Sequence, residues 1–194
     1  MTKEVDEVHT SWNKIVGTLM AICVLAGIYL FVLVLAPTSY LTFLPRTKID
    51  LNTADDTVDM RDRIQIDKLQ LEVGISAGGA DSLDRGVWHR WPDRGDPEKG
   101  GNFILSAHRF RIGLTPSATK INSPFFRLDR LAVGDRLRIF WHGSRYDYEI
   151  VEIYSVKPDA IEIEAPSKEA KLTLYTCSLS GSADGRVVVE ARKI

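Results

Sequence analysis

The chain has 194 residues, enough for one domain with a sizeable core and an additional segment. Its 25 Lys and Arg residues nearly balance its 26 Asp and Glu residues, giving a formal charge of −1. This balance does not favour nucleic acid as a partner, and the sequence contains no nucleic-acid-binding motif. Apolar residues make up 44% of the chain and are spread unevenly.

The N-terminal region contains a long uncharged segment, residues 15–36. As a helix its 22 residues would extend about 33 Å, against a hydrocarbon core of about 30 Å. The apolar part of a cleaved signal peptide is shorter, about 7–15 residues, and ends in a small-x-small site. Here Val34-Leu35-Ala36 is followed by Pro37. The pattern therefore predicts a retained transmembrane helix over residues 15–36, after a head of residues 1–14.

Residues 37–60 contain two prolines and an acidic, polar stretch at residues 50–59. This composition is typical of a linker that holds a folded domain away from a bilayer. Two lysines precede the apolar segment, and Arg46 and Lys48 follow it, so the distribution of positive charge does not decide the orientation.

From residue 61 onward the sequence shows the alternation of half-buried strands. Apolar side chains occupy every second position in residues 69–75, 137–141 and 146–150. Further apolar runs occur at residues 102–106, 172–176 and 187–191, and glycine-rich or proline-containing turns separate the runs. Ser123-Pro124 predicts the start of one short helix that ends near Leu131. Many short strands in residues 61–194 predict one closed or sandwiched all-β domain.

The two cysteines cannot form a disulfide within one chain if Cys23 lies in a membrane and Cys177 in the folded domain. A lone cysteine after a strand is more often a buried structural residue than a nucleophile. Cys177 nevertheless follows an apolar strand, and a strand end is a rigid support for a nucleophile. An unpaired thiol on the outside of a cell would also be unusual.

A nucleophilic thiol requires an acid–base partner, for which the domain offers three histidines. The sequence predicts that His142 lies at a hairpin tip, exposed to solvent. His89 lies between two tryptophans, and we expect a structural or groove-lining role for it. His108 follows an apolar strand, as Cys177 does. Arg186, nine residues after Cys177, could return across a hairpin as an oxyanion donor.

Four sequence motifs, taken together, resemble the sortase family. Residues 173–177 read Thr-Leu-Tyr-Thr-Cys, similar to the family's Thr-Leu-x-Thr-Cys signature. Residues 100–109 resemble its Gly-Gly-Asn, strand, Gly-His-Arg segment, with Ala107 in place of the usual glycine. Residues 123–135 resemble the stretch after the family's histidine, and residues 185–189 resemble the strand that carries its arginine. The similarity covers about residues 61–194.

This resemblance implies an all-β, closed eight-stranded barrel with short helices, preceded by one N-terminal transmembrane helix. It further implies a membrane-anchored cysteine transpeptidase with a cytoplasmic N-terminus and a catalytic domain at residues 61–194 outside the cell. Cys177 would attack a Leu-Pro-x-Thr-Gly-like sorting signal on a secreted protein. His108 would protonate the leaving amine and Arg186 would hold the oxyanion, while Thr176 and Ala107 would contact the substrate. A cell-wall precursor or protein amine would then accept the acyl group.

The sequence contains no Asp-Pro-aromatic lid motif and no second apolar span, so we expect a non-pilus type of sortase. No metal or organic cofactor is expected. Calcium-binding relatives use acidic residues near the groove, and the acidic residues here are more simply read as solvated loops. The candidates are Asp93, Asp96, Glu98, Glu162 and Glu164. The alternatives are a thiol hydrolase using the same residues with water as acceptor, a pilin-polymerising sortase, and an inactive peptide-binding module.

Overall fold

The computed structural model describes Trp12, residues 14–32 and residues 62–194. The first helix, α1, covers Lys14–Val32, and by length and composition its 19 residues could cross a membrane. The apolar helix of a signal sequence can have the same length and composition. The predicted head and linker lie almost entirely outside the described residues. Residues 1–44 and 45–194 form two separate compact units.

The second unit is a closed β-barrel, and its closure confirms the predicted fold. Eight strands follow each other around the ring in the order β3-β2-β1-β6-β7-β9-β8-β5, and β5 pairs with β3 to close it. A short ninth strand, β4, adds to β5 outside the ring. The strands are β1 (Arg63–Ile66), β2 (Leu71–Ala77), β3 (Val87–His89), β4 (Gly95–Asp96), β5 (Gly100–Ser106), β6 (Arg136–Trp141), β7 (Ser144–Val156), β8 (Lys171–Ser178) and β9 (Gly181–Lys193).

The predicted alternation reflects the inner and outer faces of this barrel. Side chains at alternate positions, such as Phe103 and Leu105 on β5 and Leu172 and Leu174 on β8, are at most 1% exposed and belong to the interior core. Burial of each side chain of this size contributes about 1.5–3 kcal/mol. The intervening residues of β5, β8 and β9 point to the outer face of the barrel.

The β6–β7 hairpin has His142 at its tip, as the sequence predicted, and its loop has two residues. Trp141 pairs with Ser144, and His142 and Gly143 adopt φ values of +46° and +79°. Two positive φ values in succession are typical of a type I′ turn, which matches the twist of the strands on either side.

The short helix of this region lies at a different place in the chain from the one predicted. Helix α2 covers Pro116–Ile121, with Thr115 as its N-cap, and Leu128–Arg130 forms only a 3₁₀ turn. The helix predicted to begin at Ser123-Pro124 is absent, because the Ser123 hydroxyl accepts a hydrogen bond from the Arg111 amide (2.9 Å) and the Phe125 amide donates to the His108 carbonyl (3.2 Å). Both contacts tie this segment to the chain that leaves β5.

Candidate active site

The topology brings His108, Cys177 and Arg186 onto one face of the barrel. Strands β5 and β8 are parallel, and their last paired residues are Ser106 and Tyr175. His108 and Cys177 each lie two residues beyond this last pair. Cys177 is paired with Arg186 across the antiparallel β8–β9 ladder. Since neighbouring strands lie about 4.8 Å apart and paired residues point the same way, Cys177 and Arg186 lie side by side. Together with His108, which follows the end of β5, they are called the row.

A buried hydrogen bond maintains this row between the two parallel strands. The Thr176 hydroxyl donates to the Ala107 carbonyl over 2.8 Å, and the two residues are 1% and 3% exposed. Both side chains point into the barrel, on the opposite side of the strands from Cys177. The geometry therefore shows a structural contact between Thr176 and Ala107, and their contact with substrate stays a prediction.

His108 is partly accessible and has charged neighbours. Its side chain is 30% exposed, and its Nε2 lies 3.4 Å from Asp84 Oδ1 and 3.5 Å from Arg111 Nη1. Burial lowers the pKa of His108 below its ordinary value. The ring also borders a cavity of about 70 Å³, whose wall includes Gly86 and Asn122.

Cys177 is half-buried and has a free thiol, so reagents and substrates can approach it from the outer face. Arg186 is also half-buried. Its Nη1 donates to the carbonyls of Ser182 (2.7 Å) and Gly185 (3.0 Å), which precede it on β9. These bonds hold one end of the guanidinium against the backbone of its own strand.

The other two histidines of the domain lie elsewhere. His89 is 2% exposed, packs edge-on against Phe103 and Trp141 at centroid distances of 4.7 and 5.5 Å, and lies 3.1 Å from the Gly95 carbonyl. Burial lowers its pKa, as expected for a neutral core histidine. This contact set supports the structural alternative for His89.

His142 occupies the hairpin tip, and its Nδ1 lies 3.3 Å from Glu98 Oε2. Glu98 precedes β5, whereas His108 follows that strand. Seven extended residues span about 23 Å, so the two histidines lie near opposite ends of β5.

A polar cluster covers the outer face beside the row, and the sequence did not reveal it. The Glu164 carboxylate is 9% exposed and accepts hydrogen bonds from the Tyr175 hydroxyl (2.6 Å) and the Trp91 indole (2.7 Å). Arg90 Nε lies 2.8 Å from the same carboxylate. Burial and the bond to Glu164 raise the pKa of Tyr175. The cluster fixes the 3₁₀ turn Ile161–Glu164 against β8, next to Cys177.

An apolar cluster lies beneath this turn. Ile104, Tyr175 and Val188, from β5, β8 and β9, pack against Ile163 of the turn. Tyr175 and Val188 each lie two residues from a member of the row, on the same face. All four side chains are at most 5% exposed, so the turn and the three strands form a buried packing contact beside the row.

The acidic residues considered as metal ligands do not converge. Among the described residues no group of three or more His, Cys, Asp or Glu side chains is arranged to hold a metal ion. Glu164 is occupied by Tyr175, Trp91 and Arg90, while Asp96 caps a turn by accepting from the Glu98 and Lys99 amides at 2.9 and 2.7 Å.

Comparison with solved structures identifies the same architecture in known enzymes. Sortase D5 of Clostridium perfringens is 27% identical, with a TM-score of 0.58 over 69% of this chain and 78% of that one. Sortase C1 of Streptococcus agalactiae, solved with MTSET, is 28% identical, with a TM-score of 0.57 over 69% and 66%. Sortase A of Listeria monocytogenes shares the fold at 17% identity, with a TM-score of 0.57 over 69% and 86%. The search of curated proteins found no match.

The fold and the row define a β-barrel protein with a thiol, an imidazole and a guanidinium on one face. Residues 64–194 match the family model described as Sortase domain, and the chain belongs to the sortase family. Membership places it among the cysteine transpeptidases of the cell wall in general.

Proposed function

We propose that Cys177, His108 and Arg186 form the catalytic site of a transpeptidase that cleaves a Leu-Pro-x-Thr-Gly-like sorting signal. The observation that carries the proposal is the row itself: Cys177 and Arg186 are paired across β8 and β9, and His108 follows the end of β5, which pairs with β8. The row thus brings together a nucleophile, an acid–base group and an oxyanion donor.

The reaction follows from the chemistry of these groups. The Cys177 thiolate attacks the threonine carbonyl carbon, and Arg186 donates hydrogen bonds to the oxyanion that forms. The carbon–nitrogen bond breaks, His108 gives its proton to the leaving amine, and a thioester remains on Cys177. An acceptor amine then attacks the thioester and transfers a proton to His108 as the thiolate leaves. This route uses no metal or organic cofactor.

The same proposal includes the protein's partners and location. Secreted proteins with a C-terminal sorting signal would be acyl donors, and an amine of a cell-wall precursor or of another protein would be the acceptor. Helix α1 supports a single-pass anchor, with the N-terminus in the cytoplasm and the barrel outside. Because the sequence lacks the lid motif, we propose a non-pilus type.

The first prediction tests the nucleophile. The full chain in detergent, incubated with a Leu-Pro-x-Thr-Gly peptide, should form an adduct whose mass equals the chain plus the acyl fragment. Cys177→Ala should remove this adduct because the attacking atom is absent, whereas Cys23→Ala should preserve it. Intact-protein mass spectrometry makes the measurement.

Three outcomes separate the candidate functions. Added triglycine should convert the adduct into a peptide–triglycine product, as a transpeptidase requires. Release of free acid alone, unaffected by the amine, would indicate the hydrolase alternative. An adduct that persists in Cys177→Ala would contradict the assignment of the nucleophile.

A further inference from the structure

Two charged residues outside the row approach the same atom of His108. Asp84 lies in the 3₁₀ helix Ala80–Arg85 that precedes β3, and Arg111 lies three residues after His108. Asp84 Oδ1 and Arg111 Nη1 lie 3.4 and 3.5 Å from His108 Nε2. The two charged groups also form an ion pair with each other. One ring nitrogen therefore faces a carboxylate and a guanidinium together.

The Asp84 carboxylate suits the hydrogen that Nε2 carries. When His108 is an imidazolium, Nε2 can donate this hydrogen to Asp84. When the proton on Nδ1 has been given away, the neutral ring still carries its hydrogen on Nε2 and keeps the same partner. Asp84 therefore holds Nε2 in both protonation states, which leaves Nδ1 to give and receive the proton, while the ion pair with Arg111 holds the carboxylate.

We propose that Asp84 and Arg111 are positioning residues that anchor Nε2 of His108 throughout the catalytic cycle and shift its proton affinity in opposite directions. The proposal rests on the proposed acid–base role of His108. That role requires the same ring to give a proton during acylation and to receive one during transfer, without turning away between the two steps.

The remaining charged groups around His108 do not duplicate this arrangement. Arg85 lines the cavity next to His108, but its guanidinium pairs with Asp81 at 2.5 Å. Cys177 and Arg186 belong to the row itself, on the side where the reaction occurs. Among the groups that face the ring from the described residues, Asp84 therefore supplies the negative charge nearest to Nε2.

Of the two charges, Asp84 acts against the effect of burial and Arg111 adds to it. Burial alone lowers the pKa of His108 and so disfavours the imidazolium. A carboxylate at 3.4 Å favours the imidazolium, while a guanidinium at 3.5 Å disfavours it. Asp84 and Arg111 are 54% and 45% exposed, so solvent weakens both effects.

The test measures the pKa of His108 directly. The full chain in detergent, labelled with ¹³C-histidine, is titrated by NMR, and the His108 signal is assigned by its loss in His108→Gln. Asp84→Asn should lower the pKa of His108 by about 0.5–1 pH unit, and Arg111→Met should raise it by a similar amount. Acylation by a sorting peptide should fall about three- to tenfold in Asp84→Asn, and Asp84→Glu should recover part of it.

A matched pair of controls is available on β7. Arg145 and Asp147 form an exposed ion pair at 2.7 Å that does not touch His108. Asp147→Asn and Arg145→Met change the same charges, so neither should move the His108 titration. A merely structural role for Asp84 and Arg111 would likewise leave the pKa unmoved, or would move it the same way in both variants, and either result would overturn the proposal.

The two proposals can fail independently. If the wild-type chain forms no adduct with a sorting peptide, the proposed function fails, while the titration still decides whether Asp84 and Arg111 act on His108. If one variant does not fold, the sign of the shift in the other still supports or contradicts the proposal.

Discussion

At the scale of single residues, the Arg186 side chain must make two sets of hydrogen bonds at once. Its Nη1 is used by the carbonyls of Ser182 and Gly185, yet the proposed reaction requires a donor directed at the oxyanion on Cys177. A guanidinium has five N–H donors in a fixed planar fork, so one edge can bind these two carbonyls while another donates to the substrate. A lysine ammonium is a compact charge on a flexible stem and cannot reproduce both sets of bonds.

The corresponding prediction is that Arg186→Lys keeps the charge and the fold but loses about 10²-fold in turnover, as after removal of an oxyanion donor. Transfer of a sorting peptide to triglycine measures the rate, and circular dichroism verifies folding. Arg192→Lys is the control: this residue lies on the same strand, is exposed, and reaches Glu149 only at 3.5 Å. Near wild-type turnover in a folded Arg186→Lys would make Arg186 a surface charge.

The residues of the row could be proposed from the sequence, whereas their supporting contacts could not. Cys177 and His108 each follow an apolar strand within a recognisable motif, so local pattern was sufficient. Asp84 lies 24 residues before His108. It reaches the ring only because β3 pairs with both β2 and β5, and no local pattern encodes that closure. The motif gives the proximity of Thr176 to Cys177 but not the face of the strand that it occupies, so its bond to Ala107 could not be predicted.

At the scale of secondary-structure elements, the parallel contact between β5 and β8 carries the site. Beyond Ser106 and Tyr175 the chain continues toward His108 and Cys177, and the side-chain bond from Thr176 to Ala107 joins the two ends there. Because both partners are buried, loss of the donor would leave the Ala107 carbonyl without this bond. An unsatisfied buried acceptor costs about 1–3 kcal/mol.

Thr176→Val, which replaces the hydroxyl with a methyl group, should therefore reduce the free energy of unfolding by about 1–3 kcal/mol. It should also slow adduct formation, because His108 and Cys177 lose a constraint on their separation. Urea denaturation of the full chain in a mild detergent and mass spectrometry are the measurements. Thr176→Ser keeps the donor and should stay close to wild type. A Thr176→Val variant with unchanged stability and rate would mean that the bond does not hold the strand ends.

The strands were predictable at this scale because alternation along a chain directly reports the two faces of a sheet. The helical segments were less so. Thr115-Pro116 and Ser123-Pro124 both have the composition of a helix start, and only the first begins a helix. The second pair is held by contacts to Arg111 and His108, which exist only in the folded barrel.

At the scale of the whole molecule, the barrel and the apolar helix are separate units with different surfaces. Core side chains from the eight strands of the ring fill the barrel, whereas the large apolar side chains of α1 are exposed. Exposed apolar side chains along a 19-residue helix match the hydrocarbon region of a bilayer, which is the basis for proposing an anchor. Basic residues flank the span about equally, so their distribution does not predict its direction.

The two cysteines allow the proposed orientation to be tested without adding a reporter. Cys177 is half-buried on the outer face of the barrel, and Cys23 lies within α1. In a Cys23→Ser chain produced in bacterial cells, Cys177 is the only thiol. A membrane-impermeant maleimide should label it in intact cells to the same extent as after lysis, because the barrel is proposed to face outward. Cys177→Ala supplies the unlabelled control, and the labelled chain should fractionate with membranes at its full mass. Labelling that appears only after lysis would place the barrel inside the cell, and a shortened chain in the medium would identify the apolar segment as a cleaved signal.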